Sequence, residues 1–309
     1  MNLRFGVLLC LYFLAELVFA AAARTVGDPL ALLPTSLAAA GGAWFVFLVA
    51  SRQTHLIDLD RDVALGAAGG AAILLSLTVA YSLHGVSIVT PLVIMKSGGL
   101  LVAIAVGVLQ GSNPSARSLV VGALVCAAIF STMWSRLQVD GTAGALVCAA
   151  FYLAGYACKL APVGKHRGDV SFFLSMTTFT IAFALLVTFG GLLALALAGH
   201  AVVPSRHPVA FLAGLASQGC GVFGGLILLR GSSDDDKARD LASHASLFPI
   251  HRSVSLLGAI AAVAVLAILQ APRISGVADA GRAIWGAYRP GEIPGAALLV
   301  VALWIGVRR

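Results

Sequence analysis

The sequence predicts an all-α polytopic membrane protein of about ten transmembrane helices, arranged as two inverted five-helix repeats. Three observations carry this. The first is composition: 60% of the 309 residues are hydrophobic and 11% are charged, whereas a soluble domain carries about 25% charged residues. With a mean hydropathy of +0.98, the chain has too little polar surface to solvate a compact globule. The second is run length. The apolar stretches reach the roughly 20 residues that a helix needs to cross the hydrocarbon layer. Lipid offers the backbone no hydrogen bonds, so a spanning chain is a helix bundle or a closed barrel. Unbroken rather than alternating runs select the bundle. The third is self-similarity at a distance of five spans.

The first span is read as 3–23. Arg4, the apolar run and the Ala-rich end are also features of a signal peptide, but Glu16 interrupts the run, and a retained first span is the reading adopted. Polar breaks at 24–29 and 51–62 set off spans 30–50 and 63–83. Spans 87–109 and 117–135 flank the break at 111–117. Spans 142–162 and 171–198 flank the one at 164–169, and 208–229 follows. The run 231–240 is a solvated loop, and its Asp234, Asp235 and Asp236 have no second ligand set beside them to hold a metal. Spans 243–269 and 292–307 complete the ten. Segment 271–290, with Arg273, Asp279, Arg282, Trp285, Tyr288 and Arg289, is too polar to span. Trp and Tyr favour the membrane interface, so a short interfacial helix or loop is expected there.

The net charge of +7 forms no stripe, which argues against a nucleic-acid partner. With the N-terminus cytoplasmic, that side collects Arg4, Arg52, Arg61, Arg117, Lys165, Arg167, Arg230, Lys237, Arg239, Arg308 and Arg309. The other side collects Arg24, Arg136, Arg206, Arg273, Arg282 and Arg289. This excess places both termini in the cytoplasm. The Ala and Gly content points to a bacterial inner membrane. Cys10, Cys126, Cys148, Cys158 and Cys220 lie inside apolar runs and read as small hydrophobes rather than disulfides or metal ligands. No metal or cofactor is expected.

The fourth span holds Pro91, then Lys96-Ser97-Gly98-Gly99-Leu100-Leu101. The ninth holds Pro249, then Arg252-Ser253-Val254-Ser255-Leu256-Leu257. Gly66 and Gly70 form a GxxxG pair in the third span, and Gly221 and Gly225 another in the eighth. Phe13-Leu14-Ala15 of the first matches Tyr152-Leu153-Ala154 of the sixth. A unit of five spans crosses the membrane an odd number of times, so its copy inserts upside down. Such inverted repeats place a substrate site near the midplane between the halves. The halves are taken as 1–139 and 140–309.

These features resemble the drug/metabolite transporter superfamily, in particular its ten-helix EamA-like and triose-phosphate-translocator-like members. The resemblance covers most of the chain. It is carried by the two proline–basic–serine stretches, the paired glycine-rich spans and Leu14-Ala15-Glu16. The last is similar to the Leu-Ala-Glu of small multidrug resistance proteins, and the resemblance implies that Glu16 binds cation or proton. It also implies a role for Arg252 on substrate phosphate.

Read as chemistry, Lys96 sits near the middle of a span, where a charge costs about 2.5–3.5 kcal/mol on insertion scales. Such a residue faces a cavity or a partner such as Glu16. Arg252 is its repeat counterpart and offers a planar fork for phosphate or carboxylate. The two cations approaching from opposed repeats would clamp an anion. Glu16 is either a proton-coupling group or half of a salt bridge with Lys96. Ser97, Ser253, His251, Tyr81 and His84 are further candidate substrate contacts, and Lys159 is expected to snorkel. The function expected is therefore secondary transport of a small anionic or zwitterionic metabolite, possibly phosphorylated, by alternating access, for instance as an antiporter. Alternatives are a flippase for a lipid-linked phosphate and a proton-coupled exporter of amino acids or drugs. A membrane-embedded enzyme would need a cluster of His and carboxylates at one face. His55, Asp58, Asp60 and Asp62 are the nearest approach to one and read as an ordinary loop. A substrate-free assembly protein is a further alternative. The partners expected are a small molecule and the bilayer, with the chain a monomer or homodimer.

Overall fold

A computed structural model describes residues 3–109, 113–134, 142–166, 169–200, 202–230, 247–271 and 276–307. Asp234, Asp235 and Asp236, together with Arg136, Arg167, Lys237, Arg239, Arg273, Arg308 and Arg309, lie outside these residues. So does the expected start of the ninth span at 243–246. Among the described residues the regular structure is entirely helical. In chain order the helices are α1 Leu3–Val26, α2 Pro29–Ala50, α3 Arg61–Ser82, α4 Val89–Leu109, α5 Ala116–Trp134 and α6 Thr142–Lys165. They continue with α7 Val170–Leu197, α8 Pro208–Arg230, α9 Leu247–Gln270, α10 Val277–Ala287 and α11 Glu292–Val307. A single 3-10 turn, Thr54–Leu56, lies between α2 and α3.

The boundaries follow from capping chemistry. Asp28 accepts from the Leu30 and Ala31 amides, and Pro29 takes the first helical position of α2. Asp60 accepts from Val63 to start α3, and Asp169 from Phe172 to start α7. Each carboxylate satisfies an amide that a helix start leaves open. Gly27 turns the chain between α1 and α2 with φ +69, a conformation that favours glycine.

Nine helices of 19 to 28 residues among those described are long and apolar enough to cross a membrane. The tenth expected span is present as α11, apolar but only 16 residues long, which is about 24 Å of helix against a hydrocarbon layer of roughly 30 Å. The polar segment before it carries α10, an 11-residue helix with no buried residue and with Trp285 exposed.

Packing partners recur in pairs. α3 packs most extensively on α6, and α1 on α8. α3 also packs on α7, and α2 on α8. α4 packs on α6, and α1 on α9. α5 packs on α11. The strongest contacts thus gather α1, α2, α8 and α9 into one group and α3, α4, α6 and α7 into a second, with α5–α11 a separate pair. α3 and α6 approach backbone to backbone: a Cβ on Gly69 would lie 2.4 Å from the Gly155 carbonyl oxygen, and one on Gly155 2.6 Å from that of Gly69. The two GxxxG pairs are not equivalent in place. Gly66 and Gly70 face Met176 and Thr180 of α7, and Gly225 faces Phe173 of α7, but Gly221 faces open space. Gly69, inside the first motif, makes the contact with another helix's backbone, whereas Gly66 and Gly70 meet side chains.

Candidate functional site

Burying a charge in a bundle is costly unless something compensates it. Among the described residues four charged side chains are buried: Glu16, Lys96, Arg252 and Glu292. Three of them meet in one cluster formed by α1, α3, α4, α6, α8 and α9.

The cluster is organised on α6. Tyr152, Tyr156 and Lys159 fall at positions i, i+4 and i+7, one face of a helix. Lys96, 4% exposed, holds its ammonium 5.6 Å from the centre of the Tyr152 ring. Arg252, 3% exposed, holds its guanidinium 4.9 Å from the centre of the Tyr156 ring. Cations over aromatic faces within about 6 Å are attracted by the ring quadrupole. The two basic residues that recur in the sequence therefore converge, one turn apart, on adjacent tyrosines. The small residues after Lys96 explain how they fit: a Cβ on Gly99 would lie 2.9 Å from Arg252 Nη2. The Lys-Ser-Gly-Gly run of α4 opens the space that the guanidinium occupies. Ser97 is fully buried, and its Oγ has no hydrogen-bond partner.

On the facing side, α1 contributes Tyr12 and Glu16. The Tyr12 and His251 rings stack at 4.5 Å, and Ser255 lies against Tyr12. Glu16, 3% exposed, accepts a hydrogen bond from the Tyr81 hydroxyl at 2.5 Å. Among the described residues neither Glu16 nor Lys96 takes part in an ion pair, so the expected alternative of a Glu16–Lys96 salt bridge is not formed. The partner of the carboxylate is a tyrosine of α3, and Tyr81 is fully buried. Cys220 of α8 also lies within electrostatic reach of Glu16.

The remaining candidates take different places. His251 borders Arg252 and feels the charges of Lys96, Arg252 and Lys159. Lys159, expected to snorkel, is half-buried and interacts electrostatically with Lys96. Ser253 is half-buried, and the fully buried serine of α9 is Ser255. His84 is exposed in the α3–α4 loop, with its ring against Gly27. Tyr12 and Tyr156 are not among the residues the sequence singles out, and Tyr152 and Ser255 enter only as part of the repeat, not as site residues. The i, i+4, i+7 spacing on α6 was the available signal.

The loop that most resembled an enzyme's carboxylate cluster has other work. Asp60 caps α3. Asp62 accepts from Lys165 Nζ at 2.5 Å and His166 Nε2 at 2.9 Å. His55 contacts the Arg52 carbonyl, and Asp58 accepts from the Leu59 amide. Among the described residues no three His, Cys, Asp or Glu are placed to hold a metal.

No protein-family model matches the chain, and no curated protein matches it.

Proposed function

We propose that the protein is a secondary transporter of a small anionic or zwitterionic metabolite, working by alternating access between two inverted five-helix halves. The observation that carries this reading is the convergence of Lys96 and Arg252 on Tyr152 and Tyr156, with Glu16 opposite. Lys96 and Arg252 bring two basic groups to neighbouring points of one buried cluster, a placement suited to an anionic group. The unpartnered Ser97 hydroxyl beside Lys96 gives that substrate a polar contact. Arg252 presents a fork suited to carboxylate or phosphate. The reciprocal helix partners support the repeat: exchanging α1–α5 with α6, α7, α8, α9 and α11 in order turns α1–α8 into α6–α3, α1–α9 into α6–α4 and α2–α8 into α7–α3, and all of these are major contacts. Membership of the drug/metabolite transporter superfamily, both termini in the cytoplasm and a bacterial inner membrane fit the same reading.

The test is uptake into proteoliposomes. Lys96→Ala and Arg252→Ala each abolish uptake while the purified proteins keep a cooperative thermal transition. A thermal-shift screen against phosphorylated metabolites, amino acids and cationic drugs names the class. Stabilisation by cations alone, or full uptake by both variants, overturns the anion reading.

A further inference from the structure

Glu292 is the fourth buried charge, and the cluster around Lys96 does not use it. It is fully buried at the first turn of α11. The short segment 288–292 before and into this helix binds several elements at once. Thr90 donates to Glu292 Oε1 at 2.6 Å, and the Arg289 amide donates to Glu292 Oε2 at 3.0 Å. The Tyr288 hydroxyl donates to the Ile260 carbonyl at 2.6 Å. Arg289 Nη2 donates to the Gly85 carbonyl at 3.0 Å, and Ser131 donates to the Gly291 carbonyl at 3.2 Å. At Gly291, φ is +90, and a Cβ would lie 2.1 Å from the Ser131 carbonyl oxygen.

Two of these anchors lie on the helices that carry the cations. Thr90 precedes Lys96 by six positions on α4, about 9 Å along the axis. Ile260 follows Arg252 by eight positions on α9, about 12 Å. One short segment reaches both, so both lie toward the same end of the bundle. α4 and α9 belong to different packing groups, and their direct contact is smaller than the contact each makes within its own group. We infer that segment 288–292 is a clasp that holds α4 to α9 and closes one end of the Lys96–Arg252 site, and that its Thr90–Glu292 and Tyr288–Ile260 bonds break when that end opens. The inference rests on the transport reading.

The chemistry suits a reversible closure. Each bond joins one side chain to one acceptor, and the net contribution of a single hydrogen bond is small enough to be lost during turnover. Burial, and then the Glu292 carboxylate, push the Tyr288 phenol above its ordinary value, so it remains a neutral donor. The Glu292 carboxylate is too costly to leave buried without partners, which ties opening to its hydration.

The experiment measures access to the site independently of transport. Ser97→Cys is placed in a chain whose five native cysteines are replaced, and a membrane-impermeant maleimide is added from one face of sealed vesicles at a time. Arg282→Cys, on the exposed α10, identifies the face that bears the clasp. Thr90→Val and Tyr288→Phe, which remove one hydroxyl each, are expected to raise labelling of Ser97→Cys from that face roughly tenfold. Labelling from the other face stays unchanged while the variants keep a cooperative thermal transition, and Glu292→Gln acts in the same direction. Unchanged labelling in folded Thr90→Val and Tyr288→Phe proteins, or an equal rise from both faces, overturns the clasp. Uptake and protection of Ser97→Cys by inorganic phosphate or carboxylates address the transport reading. Loss of both with a one-sided rise in labelling would sink transport and leave the clasp standing.

Discussion

Glu16 shows how little of a buried group's role its own position settles. Its place inside an apolar run marked it as costly, but its partner lies 65 residues away on another helix. Its donor is the Tyr81 hydroxyl, and Lys96 forms no ion pair with it among the described residues, so the proposed proton-coupling role can be tested apart from a salt bridge. Glu16→Gln is therefore expected to abolish dependence of uptake on a proton gradient while substrate counterflow persists. Equal loss of both activities together with a lower melting temperature would mark the residue as structural. Gly99 gives a second prediction at this scale. A methyl there meets Arg252 Nη2 at 2.9 Å, and the tip of a long side chain can shift to avoid it. Gly99→Ala should leave the protein folded but misplace the guanidinium, raising KM for the anion roughly tenfold, in keeping with the steep cost of small misplacements.

Helices read well from sequence because each span reports its own solvent. The expected 30–50 and 292–307 became Pro29–Ala50 and Glu292–Val307, since length and hydropathy are local properties and Asp or Gly marks the ends. Contacts between helices read poorly. Gly66 and Gly70 announce a close approach, but they meet side chains of α7 while Gly69 meets the backbone of α6, because the motif gives spacing without giving the helix's rotation. Tyr152 and Tyr156 look like any tyrosines in a span until α4 and α9 bring cations over them. Glu292 follows a Pro-Gly pair at the start of a span, and its partner Thr90 is distant in sequence. The α3–α6 contact gives this scale its prediction. Backbone meets backbone there, so no flexible side chain can yield. Gly155→Val is expected to destabilise by about 1–3 kcal/mol through overpacking, seen as a lower melting temperature in detergent. Gly190→Ala, where a Cβ meets nothing within 4 Å, should leave the transition in place.

For the whole molecule, the packing groups matter more than the sequence halves. Each group takes two helices from either half of the chain, so a motion between groups moves parts of both halves together. The Lys96–Tyr152 contact lies within one group. The Arg252–Tyr156 and Glu16–Tyr81 contacts cross between groups, so a relative tilt would remake the site's own contacts and couple occupancy to closure. That coupling separates a transporter from a bundle that merely holds an anion. It can be tested by tying the groups together away from the site. Leu48 near the end of α2 and Leu174 near the start of α7 share one buried cluster, and their helices belong to different groups. Cysteines at these positions, bridged by a short bifunctional thiol reagent with a reducible linkage in a chain otherwise free of cysteine, should stop uptake, and a reductant should restore it. The control lies within one group: a Cβ on Gly70 would sit 3.3 Å from Thr180 Cβ, close to the spacing of a disulfide. A bond between Gly70→Cys of α3 and Thr180→Cys of α7 should leave uptake intact. If the bridge between groups also leaves uptake intact, the groups do not move as bodies, and the alternating-access reading loses its mechanical basis even where the anion site survives.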